Sequence, residues 1–177
     1  LLMLLRQRSL GRLNDAGTAA AMEMVLSFMA RRFVGGYQPN LHRPIFRQVT
    51  HRLREYVSND SLNLVEGTKY LLSSGDGLSK WPSDAELLDA SENTRLYTSS
   101  RSRWVSMVLE RINRSYFESP KHVPSVLDPK YSVEHVMPQK LSDGWTADLT
   151  DWGVDNITSF HESRLHVLGN LSLSAVN

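Results

Sequence analysis

The sequence of 177 residues contains no cysteine. A disulfide framework and a zinc site with thiolate ligands are therefore both excluded, so any metal ion must be held by oxygen atoms or imidazole nitrogens. We expect no zinc. The absence fits a reducing compartment, and we expect a cytoplasmic protein.

Long apolar runs are also missing. The opening segment LLMLLRQRSL is too short to span a bilayer, and it lacks the basic start and the small-residue cleavage site of a signal peptide. We therefore expect a soluble protein without a membrane partner. Because the chain begins with Leu1 and stops at Asn177 in the middle of a pattern, we interpret it as a fragment with parts missing at both ends.

Neither sign of charge is in large excess, and the net charge is +1. Residues 1–120 carry 16 basic and 12 acidic residues, whereas residues 121–177 carry 4 and 7. A run of arginines without an intervening acid could neutralise the phosphates of a nucleic acid, and a solvated helix face is the alternative. These arginines are Arg31, Arg32, Arg43, Arg47, Arg52 and Arg54.

The first 120 residues have helical periodicity. Apolar residues at spacings of three and four predict helices over Asp15–Arg32, Pro44–Val57, Leu62–Leu72 and Ser100–Phe117. Ser83 and Glu86 have the spacing of a capping box, which predicts the start of a further short helix. The apolar stripe in Ser100–Phe117 predicts that this helix is the spine of its part of the chain.

The pattern changes after the proline-rich segment SPKHVPSVLDP. YSVEHV alternates as a strand does, and RLHVLGNLSLS predicts a second short strand after a loop of roughly 25 residues. The fold class we predict is mainly α with a small α+β part, in which a helical domain, residues 1–120, precedes a β-hairpin unit, residues 121–177.

The dipeptide Glu134-His135 lies at the end of the first predicted strand. Hydrolysis of a phosphodiester requires a base that deprotonates water and a divalent cation with open coordination positions. Glu134, His135, Asn170 and Asn177 have the residue types and the order that can supply both. An acid next to a histidine is, by itself, more often a hydrogen-bonded surface pair.

The pattern is more specific when EHVMPQ, a tryptophan and HESRLHVLGNLSLSAVN are read together. This combination resembles the HNH-type nuclease domain of the GmrSD family, modification-dependent (type IV-like) restriction endonucleases of antiviral defence. The helical half resembles the region before that domain, in the segments MARRFVGG, LHRPIF, WPSDAELLDA and SRWVSMVLERIN. The resemblance covers nearly the whole chain, and its tail motif is the specific part.

The resemblance implies a role for each matching position. His135 would be the general base at the end of the first strand of a ββα-metal finger, and Glu134 would bind the metal or hold a metal-bound water. Asn170 would brace the loop between the strands and orient the histidine. Asn177 would open the next helix and supply a second metal ligand. Residues 121–177 would then be an HNH-like domain whose C-terminal part we expect to be missing.

His161, His166 and Gln139 are candidate supporting residues; a satisfied place in the core is the alternative for the two histidines. The resemblance further implies Mg²⁺ or Mn²⁺ as cofactor, foreign or modified DNA as partner, and a prokaryotic cytoplasm. It also implies an N-terminal NTPase and sensor domain elsewhere in the parent protein, through which alone an NTP would act.

Two other hypotheses about the function of the chain remain. The chain could be a non-catalytic module that binds DNA or docks another domain through its arginines, with a degenerate HNH motif. It could also be a purely structural helical domain, which would leave the order of acid, histidine and asparagine unexplained.

Overall fold

The structure, a computed structural model, describes residues 1–58, 63–116 and 131–175. These residues form helices and one two-stranded antiparallel sheet, which confirms the predicted fold class, mainly α with a small α+β part. By packing, the chain divides into the units Leu1–Leu87 and Leu88–Asn177. The domain boundary we predicted, between residues 120 and 121, falls outside the described ranges and stays a prediction. None of the described helices combines the length and the apolar character needed to cross a membrane.

The first unit consists mainly of four helices, three of which were predicted. They are α1 (Leu2–Ser9), α2 (Asp15–Val34), α3 (His42–Ser58) and α4 (Leu64–Ser73). α2 begins at Asp15, as predicted, because the side chain of Asn14 accepts a hydrogen bond of 2.8 Å from the amide of Gly17. α2 packs against α1 and α4, and α3 packs against α4.

The core of the first unit is formed by apolar residues from these four helices and from the link between α1 and α2. Phe28 and Ala21 on α2 are completely buried. The predicted inward residues of α3 pack into this core, with Val49 and Leu53 buried and Ile45 and Phe46 partly buried. Helical periodicity therefore identified the correct face of α3.

Helix α5 (Asp84–Asn93) begins in the first unit and ends in the second. Its N-terminus has the predicted capping box, since the Glu86 amide donates to the Ser83 hydroxyl (3.2 Å) and the Ser83 amide donates to the Glu86 carboxylate (2.9 Å). The box satisfies amides that have no partner within the helix.

The second unit contains α6 (Ser102–Tyr116), which packs against both strands of the hairpin. The predicted helix Ser100–Phe117 matches it, although a 3₁₀ turn covers Ser99–Arg101 and Phe117 lies outside the described residues. Val105 is completely buried, but Trp104, Ile112 and Tyr116 are 47%, 42% and 79% exposed. Only part of the apolar stripe is therefore buried within the described residues.

The hairpin pairs β1 (Tyr131–His135) with β2 (Leu171–Ala175), with His135 opposite Leu171. Two expectations for the segment between the strands were wrong. The predicted loop contains α7 (Asp143–Asp151) and α8 (Ile157–Arg164), which begin where Ser142 and Asn156 accept bonds from backbone amides. The second strand is also shorter than predicted, because residues 168–170 form a 3₁₀ turn before β2.

Candidate active site

The hairpin places His135 at the last position of β1. One further backbone bond, from the Val136 amide to the carbonyl of Asn170 (2.9 Å), continues the pairing beyond the strand. The backbone before His135 is therefore paired with β2, and the backbone after it is bonded to Asn170 in the turn that precedes β2. The side chain of His135 is partly buried.

The imidazole of His135 is hydrogen-bonded to a second imidazole. Its Nε2 lies 3.0 Å from Nδ1 of His166, and the two rings meet edge to face, with centroids 5.1 Å apart and planes at 75°. His166 lies in the turn after α8, not on the strand that the sequence predicted. The bond joins two residues that are 31 positions apart in the chain.

Tyr97 packs against both histidines, and sequence analysis missed it. Its ring meets His135 edge to face at 5.0 Å and 87°, and stacks on His166 at 5.9 Å and 21°. The amides of Leu96 and Tyr97 both donate to the carbonyl of His166, at 2.9 and 3.1 Å. No local motif marks this segment, since it joins α5 to α6 and reaches the histidines only through the fold.

Both histidines are shifted toward the neutral form. Burial lowers the pKa of His135, and the adjacent carboxylate of Glu134 offsets part of that effect. Burial also lowers the pKa of His166, as do the positive charge of Arg95 and the neighbouring histidines 135 and 161. At neutral pH the pair is therefore uncharged, and an uncharged imidazole can accept a proton from water.

Asn170 is buried, and its side-chain amide is fully engaged. Its Oδ1 accepts from the Met137 amide (2.7 Å), and its Nδ2 donates to the carbonyls of Met137 (3.1 Å) and Leu165 (2.9 Å). The side chain thus ties the backbone after β1 to the end of α8. This is the geometry that a bracing role requires, although the role itself stays a prediction.

Two candidate supporting residues, His161 and Gln139, lie beside this loop. His161 donates from Nε2 to the carbonyl of Pro138 (2.8 Å), so it holds the backbone three residues after His135 and does not contact the imidazole through this bond. Gln139 is exposed, and the described residues give it no hydrogen bond.

Glu134 is exposed and accepts a hydrogen bond of 2.6 Å from the hydroxyl of Ser132. Because side chains alternate along a strand, Glu134 and Ser132 share one face of β1 and His135 lies on the other. The carboxylate and the imidazole therefore do not form the hydrogen-bonded pair that is the simplest alternative for such a dipeptide.

A divalent cation would find an incomplete set of ligands in the described part of the chain. No group of three or more histidine, aspartate or glutamate side chains could hold a metal ion within the described ranges. Glu134 offers an accessible carboxylate, whereas the amide of Asn170 is occupied by backbone groups. The second proposed ligand, Asn177, lies outside the described residues.

The six arginines proposed to bind DNA belong to the first unit and differ in environment. Arg32 is completely buried and donates to the carbonyls of Lys80 (3.0 Å) and Leu78 (2.8 Å). Arg31 donates to the carbonyl of Pro82 and pairs with Asp84. The remaining four are exposed on α3: Arg43, Arg47, Arg52 and Arg54. Of the six, these four are the ones whose side chains lie exposed on a single helix, and DNA binding by them stays a prediction.

The site combines a neutral histidine at a strand end with a braced loop beside it, which are features of a site for general-base catalysis. Residues 81–177, more than half of the chain, match the family model described as GmrSD restriction endonucleases, C-terminal domain. The chain therefore belongs to this family of restriction endonucleases. No curated protein and no solved structure matched the chain in the corresponding comparisons.

Proposed function

We propose that the second unit carries the catalytic site of an HNH-type, ββα-metal endonuclease that hydrolyses phosphodiester bonds of DNA, with His135 as general base. The observation that carries the proposal is the partly buried His135 at the end of the hairpin strand, with its pKa lowered by burial. The family, one of restriction endonucleases, supports nuclease chemistry and DNA as the substrate.

In this mechanism, the neutral imidazole of His135 takes a proton from a water molecule that attacks the phosphorus in line. Products carry a 5′ phosphate and a 3′ hydroxyl. Asn170 holds the loop after β1 through its bonds to Met137 and Leu165, so the base keeps its position. Mg²⁺ or Mn²⁺, held in part by Glu134, would stabilise negative charge that develops on the phosphate.

The decisive experiment measures nicking of supercoiled plasmid with Mg²⁺ or Mn²⁺ and with EDTA. General bases contribute roughly 10²- to 10⁴-fold to rate, so we expect H135A to lose at least about 100-fold while it still binds DNA. Glu162→Ala is the control, because Glu162 is an exposed residue of α8 in the same unit and has no assigned role in the site. Undiminished metal-dependent nicking by H135A would refute the assignment.

A non-catalytic module that binds DNA or docks another domain is the second candidate, and the exposed arginines of α3 favour it. Such a module shifts DNA in a gel with or without metal and leaves the plasmid intact, whereas the nuclease nicks only with metal. If the wild-type protein shifts DNA and never nicks it, the second candidate is correct.

Recognition of foreign or modified DNA, and any dependence on an NTP, belong in this proposal to an N-terminal NTPase and sensor domain of the parent protein. Addition of ATP or GTP to this chain should therefore leave its nicking rate unchanged. A rate that rises with either nucleotide would contradict this division of roles.

A further inference from the structure

We infer that His166 and Tyr97 are positioning residues that hold His135 in the tautomer with hydrogen on Nε2, so that the lone pair on Nδ1 faces the reacting water. The inference rests on the proposed function, since it specifies which atom of His135 acts as the base. It adds Tyr97, which no motif marks, and gives His166 a defined task.

The contact between the two imidazoles restricts their protons. Nε2 of His135 and Nδ1 of His166 lie 3.0 Å apart, so one of the two nitrogens donates and the other accepts. If His135 donates, both neutral rings carry hydrogen on Nε2, and Nδ1 of His135 has a free lone pair. If His166 donates, both rings carry hydrogen on Nδ1, and the free lone pair is on Nε2 of His166.

The first arrangement is favoured on chemical grounds. In an isolated neutral histidine, hydrogen on Nε2 is the more stable form, and only the first arrangement gives both rings that form. Within the described part of the chain, neither ring has another hydrogen bond that would impose the opposite choice. The hydrogen bond at one nitrogen thereby sets the state of the other nitrogen.

Tyr97 and its backbone keep the accepting ring in place. The His166 carbonyl accepts from the amides of Leu96 and Tyr97, which fixes the main chain of His166. The ring of Tyr97 then covers one face of His166 and presents an edge contact to His135. Rotation of either imidazole would break the 3.0 Å bond and one of these ring contacts.

The test is a two-bond ¹H–¹⁵N spectrum of the ¹⁵N-labelled protein at pH 8, where both histidines are neutral. We expect His135 and His166 each to carry hydrogen on Nε2. In His166→Ala the signals of His135 should report a mixture of tautomers, whereas His166→Asn, whose side-chain oxygen can accept the same hydrogen, should restore the single form. Tyr97→Phe keeps the aromatic ring and should leave the His135 and His166 signals unchanged. Tyr97→Ala removes the ring contacts and should broaden the signals of both histidines.

Kinetics supply a second readout. His166→Ala should lower kcat for plasmid nicking about 10- to 100-fold with little change in KM, as is typical for groups that orient a functional histidine, and His166→Asn should recover most of the loss. Hydrogen on Nδ1 of His135 in the wild-type spectrum would overturn the inference whether or not the protein cleaves DNA. Loss of nicking in H135A tests the proposed function separately, so failures of the two are distinguishable. Backbone amide spectra of each variant confirm that the hairpin is intact.

Discussion

Replacement of Asn170 by alanine is the sharpest test of how the candidate site is held together. The substitution removes one acceptor, used by the Met137 amide, and one NH₂ group, used by the carbonyls of Met137 and Leu165. Met137 is 7% exposed, so water cannot readily replace the lost partners there. Leu165 is partly exposed, and its carbonyl should recover part of its loss from water.

The expected cost follows from these environments. A buried polar group without a partner costs about 1–3 kcal/mol, so two strongly affected groups at Met137 predict a loss of about 2–6 kcal/mol in the free energy of unfolding. Such a loss is a large part of the roughly 5–15 kcal/mol that stabilises a typical domain. Asn170→Asp should also destabilise the unit, because a carboxylate can accept from the Met137 amide but cannot donate to the two carbonyls.

Urea unfolding, combined with hydrogen exchange of the Met137 amide and the β1 and β2 amides, measures the effect and assigns it to the second unit. Asn40→Ala is the matched control, because Asn40 is exposed and should change stability by less than about 0.5 kcal/mol. If Asn170→Ala stays within that margin of the wild type and the Met137 amide remains protected, the bracing geometry does not hold the loop.

Three further predictions concern the first unit and the start of α5. The pKa of His42 is lowered mainly by burial and further by the positive charge of Arg32, and the buried Nε2 of His42 has no partner in the described residues. The unfolded chain therefore binds a proton at this histidine more readily than the folded chain does. As a result, the free energy of unfolding should fall as the pH drops below about 6.5. His42→Phe should raise the free energy of unfolding by about 1 kcal/mol and remove this acid sensitivity. Equal urea midpoints of the wild-type protein at pH 5 and pH 7 would contradict this prediction. The hydrogen bonds from Lys80 and Ser83 lower the pKa of Glu86 to about 2, so its contribution is present above about pH 4.5 and disappears as pH falls toward 2. Glu86→Gln should therefore show less loss of α5 helix protection between pH 5 and 2.5 than the wild type, and equal losses by hydrogen exchange would argue against the capping box as the cause. Replacement of Arg43, Arg47, Arg52 and Arg54 by glutamine should weaken DNA binding and make the slope of log K against log [salt] less steep by about 3.6, or about 0.9 for each lost phosphate contact. Arg12→Gln, at an exposed arginine outside α3, is the control and should leave the slope nearly unchanged. An unchanged slope in the four-fold variant would exclude this face of α3 as a DNA surface.

Local patterns predicted those elements that depend on nearby residues. The spacing of apolar residues predicted α2 and the buried face of α3, because a helix repeats every 3.6 residues whatever it packs against. The same reasoning failed between the strands. There α7 and α8 are short, each begins at a single capping side chain, and neither has a clear apolar periodicity. Loops of about 25 residues without secondary structure are uncommon in packed domains, so the length of this segment argues against a simple loop.

The arginine run shows a different limit. The sequence places six arginines without an intervening acid, but it does not state which of them face solvent. Arg32 is completely buried, and carbonyls of Leu78 and Lys80, almost fifty residues away, accept from its two terminal nitrogens, while its Nε has no partner among the described residues. Burial of a charge requires such partners, and only the fold supplies them.

By itself, the sequence determined the mainly helical class, the two strands and the positions of Glu134, His135 and Asn170 in a recognisable motif. Those features depend on local periodicity and on the identity of residues close together in the chain. The tertiary structure decided the surroundings of His135: the hydrogen bond to His166, the contact with Tyr97 and the lowered pKa. These depend on distances between segments far apart in the sequence, and burial and hydrogen bonding arise only when the chain brings such segments together.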